Sequence, residues 1–140
     1  MNIEALQRAA TSWIGTPFRP HACVKGAGVD CLRLAISIYQ EAGLPLDVTL
    51  PAYGMQDWRN RSGPGPARLW LESSPLFRPV DKPEPGDCVL LRIERADHHF
   101  GIVMDETRFI HAIQDYGVIL SSLGDTTYRD RIAAIYRPTA

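Results

Sequence analysis

The chain has 140 residues, of which 45% are hydrophobic and 22% are charged, with a formal net charge of −1 at pH 7. This composition is typical of a globular protein and excludes a disordered or membrane chain, and the length predicts one domain over residues 1–140. Because the charge is near zero and the basic residues are scattered, the chain lacks the electrostatic footprint of a nucleic-acid-binding protein.

The N-terminal residues do not have the layout of a secretory signal, because acidic and basic residues occur early and no apolar core follows a basic start. No apolar run is long enough to span a membrane. We therefore expect the protein to be made in the cytoplasm without a signal peptide. Action outside the cytoplasm would require another carrier.

The first half of the chain has helical periodicity. Residues 3–13 carry apolar side chains at helical spacing and predict an amphipathic helix. A second helix is predicted over residues 31–42, with Gly43 in the C′ position that stops a helix. Residues 67–73 predict a third, short helix.

A long segment rich in glycine and proline, residues 43–66, separates the second and third predicted helices. Loops of this length in small domains are usually functional or mobile. Tyr53 and Trp58 lie in this segment and are candidates either for lining a substrate groove or for anchoring the loop.

The second half of the chain has the pattern of strands separated by polar or glycine-containing turns, starting after a turn at residues 83–87. The predicted strands are residues 88–93, 99–104, 108–113, 118–121 and 132–137. Helices followed by consecutive strands predict an α+β domain, in which the N-terminal helices pack on an antiparallel sheet of about five strands.

The three cysteines, an odd number, argue against a disulfide framework. The chain also lacks the Cys-x-x-Cys and His-Glu-x-x-His spacings of zinc sites. We predict no metal site and no cofactor. Cys88 lies in an apolar strand pattern and is interpreted as a core residue, and Cys23 lies in a loop with no obvious base nearby.

Cys31 is the candidate nucleophile. Asp30 is a good N-cap residue, so Cys31 falls in the first turn of a helix, where the unpaired N–H groups and the helix dipole favour a thiolate. A thiolate of this kind would be alkylated well below pH 8. The alternative interpretation is a small buried core residue, which is the commoner role of a cysteine on an apolar helix face.

Two histidines on predicted strands could serve this thiol. His99 is the candidate general base and acid, because Gly101 would share its face and leave open space beside the imidazole. A short turn would bring His111 on the next strand close to the level of His99, where it could fix the tautomer of that imidazole. The alternative for both is a structural histidine with satisfied hydrogen bonds. His98 would face the opposite side of the strand.

Five short motifs occur in the order and spacing of the NlpC-type peptidases: Gly15-Thr-Pro-Phe18, Gly28-Val-Asp-Cys31-Leu32, Pro85-Gly-Asp87, His99-Phe-Gly-Ile-Val103 and Phe109-Ile-His-Ala112. Over nearly its whole length the chain resembles this family, the papain-like cysteine hydrolases of bacterial cell walls. The run from Lys25 to Leu32, without an extra domain, is most similar to the branch found in phage tail and gene-transfer-agent clusters.

The resemblance implies a papain-like NlpC-type fold and hydrolysis of an amide bond in peptidoglycan stem peptides, typically one that involves D-glutamate or diaminopimelate. It makes Cys31 the nucleophile, His99 the general base and then acid, and His111 the orienting residue. The backbone N–H of Cys31 would belong to the oxyanion hole, where a preorganised donor typically contributes ~3 kcal/mol. The implied partners are stem peptides and proteins of a phage tail or gene-transfer particle, which would carry the enzyme to the cell wall or periplasm.

The sequence departs from the family at two places near the cysteine. Phe18 stands where many members have a tyrosine, so a hydroxyl is lost, and His21 is a candidate to replace it. Arg33 stands where the family has a small residue, and it could narrow the cleft or contact a stem carboxylate. Asp30 is a further candidate, for holding a substrate amino group.

Two other functions remain open at this point. A tail-tip assembly or hub protein could keep the fold and bind without cutting, which Phe18 and Arg33 would favour. A thiol amidase or acyltransferase could act on another small amide or a lipid.

Overall fold

The computed structural model of the chain describes residues 1–46, 63–64, 66–93 and 96–139. Most of the predicted loop 43–66, including Tyr53 and Trp58, lies outside these residues, and so does the side chain of His98.

Two helices form the N-terminal layer. Helix α1 (Ile3–Trp13) is capped by the side chain of Asn2, which accepts a hydrogen bond from the Ala5 N–H, and it buries one apolar face. Helix α2 (Cys31–Glu41) buries seven of its residues and is followed by Gly43 with a φ of +95°. The sequence prediction of both helices, and of the glycine stop after α2, is confirmed.

Most of the remaining elements in the described part of the chain are β-strands. The remaining elements are β1 (Cys23–Val24), β2 (Gly28–Val29), β3 (Gly63–Pro64), α3 (Pro66–Ser73), β4 (Phe77–Val80), β5 (Cys88–Ile93), β6 (Ala96–Val103), β7 (Arg108–Ile113), β8 (Gly117–Ser122), the 3₁₀ turn η1 (Arg129–Arg131) and β9 (Ile132–Pro138). The main sheet has the order β4-β9-β5-β6-β7-β8, with every neighbouring pair antiparallel. The short β3 pairs in parallel with β6, and β1 and β2 form a separate hairpin.

The predicted α+β class is confirmed, and the sheet has two strands more than the five predicted, because the two-residue β3 and the four-residue β4 join it. Strand β4 has a burial pattern that does not alternate cleanly. It pairs along β9 from Phe77↔Pro138 to Val80↔Ile135. A strand this short is held by its partner rather than by its own pattern, which is why periodicity gives a weak signal for it.

Helices α1 and α2 pack on one face of the sheet. The main core joins apolar side chains of α1 and α2 to alternate residues of the central strands, among them Leu90, Phe100, Ile102 and Ile110. The opposite face carries a smaller apolar cluster that includes Leu91, Val103 and Phe109. Strand alternation therefore places α2, and Cys31 at its start, directly against the middle of the sheet.

Two sets of polar contacts tie α2 and strand β9 to the turn before β5. The buried Tyr39 hydroxyl of α2 donates to the Gly86 carbonyl at 2.9 Å, in the turn before β5. In the same turn, Asp87 is 1% exposed and accepts two hydrogen bonds from Arg137 of β9, both at 2.9 Å. A bidentate arginine–carboxylate contact of this kind also gives geometric specificity.

The loop before α2 is docked on the edge strand β8. The Gly15 N–H donates to the Val118 carbonyl at 3.1 Å, and the Val118 N–H donates to the Thr16 carbonyl at 2.9 Å. A Cβ at Gly117 would lie 2.4 Å from the Thr16 carbonyl oxygen, so only glycine allows this approach. The segment that leads to Cys31 is thus fastened to the same hairpin that carries His111.

Candidate active site

The buried carboxylate of Asp30 organises the start of α2. One oxygen accepts the Arg33 N–H at 2.9 Å, which is the N-cap bond that the sequence predicts. The other oxygen accepts the His21 N–H at 2.8 Å and the Arg33 guanidinium at 2.6 Å. These three bonds hold the helix start and the preceding loop together, and they fix Cys31 as the first residue of the helix.

The thiol of Cys31 is covered in this structure. Cys31 is 4% exposed and faces a space beneath α2, lined partly by Phe100 and Ile110, that is too small to hold a water molecule. Burial raises the pKa of the thiol to about 12, and the nearby Asp30 carboxylate also raises it, against the lowering effect of a hydrogen bond from the Phe100 backbone. The expectation of a preformed thiolate is therefore wrong, because desolvation outweighs the helix N-terminus.

His99 and His111 are in direct contact. The Nε2 atom of His99 lies 2.7 Å from the Nδ1 atom of His111, and both imidazoles are buried. His99 immediately precedes Phe100, whose backbone bonds to the Cys31 sulfur, so the first histidine lies on the segment of β6 that contacts the thiol. The structure thus brings the two candidate histidines into contact and places the backbone next to His99 beside the thiol.

The far nitrogen of His111 also has a partner. Its Nε2 atom lies 2.7 Å from the Oγ atom of Ser121 on β8. His111 pairs with Ile119 across the β7–β8 hairpin, and Ser121 is two residues further on, so the two side chains are diagonal neighbours on one face. His99, His111 and Ser121 form a continuous polar line across three strands.

Aromatic rings enclose the middle of this line. The ring of Tyr128 meets His111 edge-on at 5.2 Å between centroids, and the ring of Phe109 lies at 4.4 Å. Burial lowers the pKa of His111 to about 4, so this imidazole stays neutral at physiological pH. A neutral imidazole has one donor and one acceptor nitrogen, and here each of them has a partner.

Gly101 does not leave open space beside His99. A Cβ at this position would lie 2.5 Å from Cδ2 of Phe109 and 3.2 Å from the Ile110 carbonyl oxygen. The prediction of a vacancy for substrate is therefore wrong. The glycine instead allows the Phe109 ring, which also contacts His111, to pack tightly against β6.

The three weaker candidates for substrate binding lie around Asp30. Phe18 bridges to Val29, and its half-buried ring packs against the main core. His21 is exposed, has a φ of +62°, and gives its backbone N–H to Asp30. Arg33 is ion-paired with Asp30, and its side chain is 19% exposed. Whether any of them contacts a substrate stays a prediction.

Ser121 and Tyr128 are the site residues that sequence reasoning missed. Once the β7–β8 turn is located, the hairpin register places Ser121 diagonally across from His111, so this signal was available in principle. Tyr128 had no such signal, because it lies between strands, just before the 3₁₀ turn η1, and reaches the site through tertiary packing.

The remaining cysteines do not join this site as reactive groups. Cys88 is buried, as expected of a core residue, and Cys23 is exposed and lies 3.0 Å from the Ser37 hydroxyl. None of the three cysteines forms a disulfide. Within the described ranges, no group of three metal-ligating side chains is assembled, and none of the helices there has the length and apolarity for crossing a membrane.

Replacing Asp30 should separate its capping role from its ion pair. Asp30→Asn keeps the oxygen that caps the helix and loses the charge, so we expect it to lower the free energy of unfolding by about 1 kcal/mol. Asp30→Ala also leaves the His21 N–H and the Arg33 guanidinium without their acceptor, so we expect a loss of about 2–4 kcal/mol. Urea denaturation measures both. Equal losses for the two variants would contradict the role assigned to the cap.

The covered thiol should react slowly with a small alkylating reagent. In the Cys23→Ser variant, we expect the iodoacetamide reaction of Cys31 to be slow at pH 7.5 and to rise through pH 9 without levelling off, because burial disfavours the thiolate. Peptide mapping by mass spectrometry follows the reaction, with wild-type Cys23 as the exposed reference. A plateau of the Cys31 rate below pH 8 would show that the thiolate is already formed at neutral pH.

Comparison of the sequence with known proteins identifies the family of the chain. The model of the NlpC/P60 family matches residues 15–137 of the chain. The probable endopeptidase NlpC homolog of Haemophilus influenzae is 27% identical over 127 residues, which cover 89% of this chain and 57% of that protein. The chain thus spans little more than half the length of this curated relative.

Solved structures share the fold. An NlpC/P60 family protein from Bacillus cereus superposes with a TM-score of 0.68 at 20% identity, covering all of this chain and 41% of that one. The NlpC/p60 domain of the peptidoglycan hydrolase SagA superposes with a TM-score of 0.62 at 19% identity, covering 91% of this chain and 95% of that one. The predicted NlpC-type fold is confirmed, and the family match over residues 15–137 shows that the chain belongs to the NlpC/P60 family.

Proposed function

We propose that the protein is a cysteine endopeptidase that cleaves an amide bond in the stem peptides of peptidoglycan, with Cys31, His99 and His111 as its catalytic triad. The observation that carries this proposal is the 2.7 Å contact between the buried imidazoles of His99 and His111, in a member of the NlpC/P60 family that has Cys31 at the start of a helix. A histidine pair and a cysteine at a helix N-terminus are the parts that nucleophilic amide hydrolysis requires.

In the first half of the reaction, His99 removes the thiol proton as the Cys31 sulfur attacks the carbonyl carbon of the amide. The negative charge that forms on the carbonyl oxygen is stabilised by the backbone N–H of Cys31, at the N-terminus of α2. The C–N bond then breaks, and His99 gives the proton to the leaving amine. In the second half, His99 activates a water that hydrolyses the thioester and frees Cys31.

The raised pKa of Cys31 is compatible with this sequence of steps. A thiol that is protonated in the resting state transfers its proton to His99 only when the nucleophilic attack takes place. His111 stays neutral, because burial lowers its pKa to about 4, and so it can accept a hydrogen bond from the imidazolium of His99.

The names of related proteins support the substrate class. The Haemophilus influenzae relative is a probable endopeptidase, and the SagA domain belongs to a peptidoglycan hydrolase.

The residues around Asp30 bear on the choice of substrate. Asp30 already accepts three hydrogen bonds, so it is poorly suited to hold a substrate amino group. Contact of the partly exposed Arg33 with a stem carboxylate stays a prediction.

Digestion of purified peptidoglycan and of synthetic stem peptides tests the activity. We expect new amino and carboxyl termini within the stem peptide, detected by mass spectrometry, and a loss of at least about 10³-fold in rate for Cys31→Ala and for His99→Ala. Cys23→Ala is the matched control and should keep the wild-type rate, because its thiol lies outside the site. Full activity of Cys31→Ala would exclude the mechanism.

We also propose that a phage tail or gene-transfer particle carries the protein to the cell wall. The support is the resemblance of the run from Lys25 to Leu32 to that branch of the family. Mass spectrometry and antibody labelling of purified particles test this, and we expect the protein at the tail in a few copies per particle. Particles that lack the protein but infect normally would contradict it.

The second candidate function is a wall-binding or tail-hub protein that does not cut. The covered Cys31 thiol and the Arg33–Asp30 ion pair favour this interpretation. Binding of peptidoglycan without any cleavage, unchanged in Cys31→Ala, would be its signature. Cleavage of other small amides or transfer of acyl groups, with stem peptides left intact, would instead indicate the amidase or acyltransferase alternative.

A further inference from the structure

We propose that Ser121 is a positioning residue for His99: its hydroxyl oxygen accepts the Nε2–H of His111 and thereby keeps the two imidazoles in the tautomers that let His99 take a proton from Cys31. The inference rests on the proposed function only in assigning His99 as the base. The hydrogen-bond arrangement itself is a property of the resting protein and is measurable without substrate.

The contact between two neutral imidazoles can hold only one hydrogen. In the first arrangement, His99 donates from Nε2 to Nδ1 of His111, and the Nδ1 atom of His99 carries no hydrogen and is the nitrogen that accepts a proton. In the second arrangement, His111 donates from Nδ1 to His99, and the Nδ1 atom of His99 then carries a hydrogen. Only the first arrangement supplies a general base at Nδ1.

The far side of His111 determines whether the first arrangement is fully hydrogen-bonded. In the first, Nε2 of His111 carries a hydrogen that needs an acceptor, and Ser121 Oγ at 2.7 Å is that acceptor. In the second, Nε2 is a bare lone pair. A serine hydroxyl is able to serve either state, because it is both a donor and an acceptor. If the serine hydroxyl is removed, the first arrangement leaves a buried N–H without an acceptor, and the second leaves a buried lone pair without a donor. The unpaired N–H costs more free energy than the unpaired lone pair.

The surroundings prevent water from taking over this role. His111 is 0% exposed, and the rings of Phe109 and Tyr128 cover it at centroid distances of 4.4 Å and 5.2 Å. Ser121 itself is half-buried, so its hydroxyl is able to accept from His111 while giving its own hydrogen to solvent. The hydroxyl at position 121 therefore joins the buried imidazole to the water outside.

The test uses two nearly isosteric variants, Ser121→Thr and Ser121→Val, which differ in a hydroxyl against a methyl group and are both suited to a strand. ¹⁵N chemical shifts of the imidazoles report the tautomer in the absence of substrate. We expect wild type and Ser121→Thr to carry the hydrogen of His111 on Nε2, and Ser121→Val to shift the population toward Nδ1–H.

The kinetic expectation follows from the tautomer. Ser121→Val should lower kcat for stem-peptide cleavage by about tenfold or more at unchanged KM, which is less than the ~10⁴-fold loss that follows a fully wrong tautomer. Ser121→Thr should restore wild-type kcat. The neighbouring Ser122→Ala is the matched control, because the Ser122 hydroxyl accepts the Gly124 N–H at the exposed end of β8.

The results of these experiments distinguish failure of the Ser121 proposal from failure of the proposed function. If Ser121→Val keeps the His111 Nε2–H tautomer and the wild-type kcat, the role of Ser121 is excluded. If the tautomer shifts as expected but wild type cleaves no stem peptide, the hydrogen-bond arrangement stands and the proposed function fails. Loss of folding in Ser121→Val with a normal Ser122→Ala variant would also overturn the proposal, since it would assign the hydroxyl to stability.

Discussion

The hydrogen-bonded carboxylate of Asp30 is the constraint on which the site depends. It caps α2 through the Arg33 N–H, holds the preceding loop through the His21 N–H, and neutralises the Arg33 guanidinium. Because Cys31 follows directly, the position of the sulfur is set by this cap. The same arrangement has an electrostatic cost, since the Asp30 charge and the burial beneath α2 both raise the pKa of the thiol.

The sheet positions the histidines and Ser121 through the register of its strands. Three strands place His99, His111 and Ser121 on one diagonal, and the close packing of Phe109 against Gly101 keeps the rings around His111 tight. A buried imidazole between two polar partners is stabilised only while both nitrogens are satisfied. The hydrogen-bonded line that starts at His99 therefore extends to the far edge of the hairpin.

The sequence predicts the fold and the helix start before Cys31 well, because these depend on local patterns. The apolar period of α1 and α2, the Asp30 cap and the Gly43 stop are short-range signals, and each appears in the structure where the sequence places it. The expectations that fail depend on packing. Desolvation of Cys31 exceeds the effect of the helix N-terminus, and the Phe109 ring fills the space predicted beside Gly101. Neither burial depth nor ring placement is encoded in spacing along one strand.

The central claim is that Cys31 attacks a stem-peptide carbonyl, and a substrate-directed probe tests it most directly. A chloromethyl ketone built on the stem peptide at its D-glutamate carbonyl would place an electrophile at the site of attack. Because the probe is positioned by binding, it should modify the covered Cys31 in preference to the exposed Cys23, and His99→Ala should abolish the preference. Modification of Cys23 alone, or equal modification of both thiols in wild type and His99→Ala, would contradict the account.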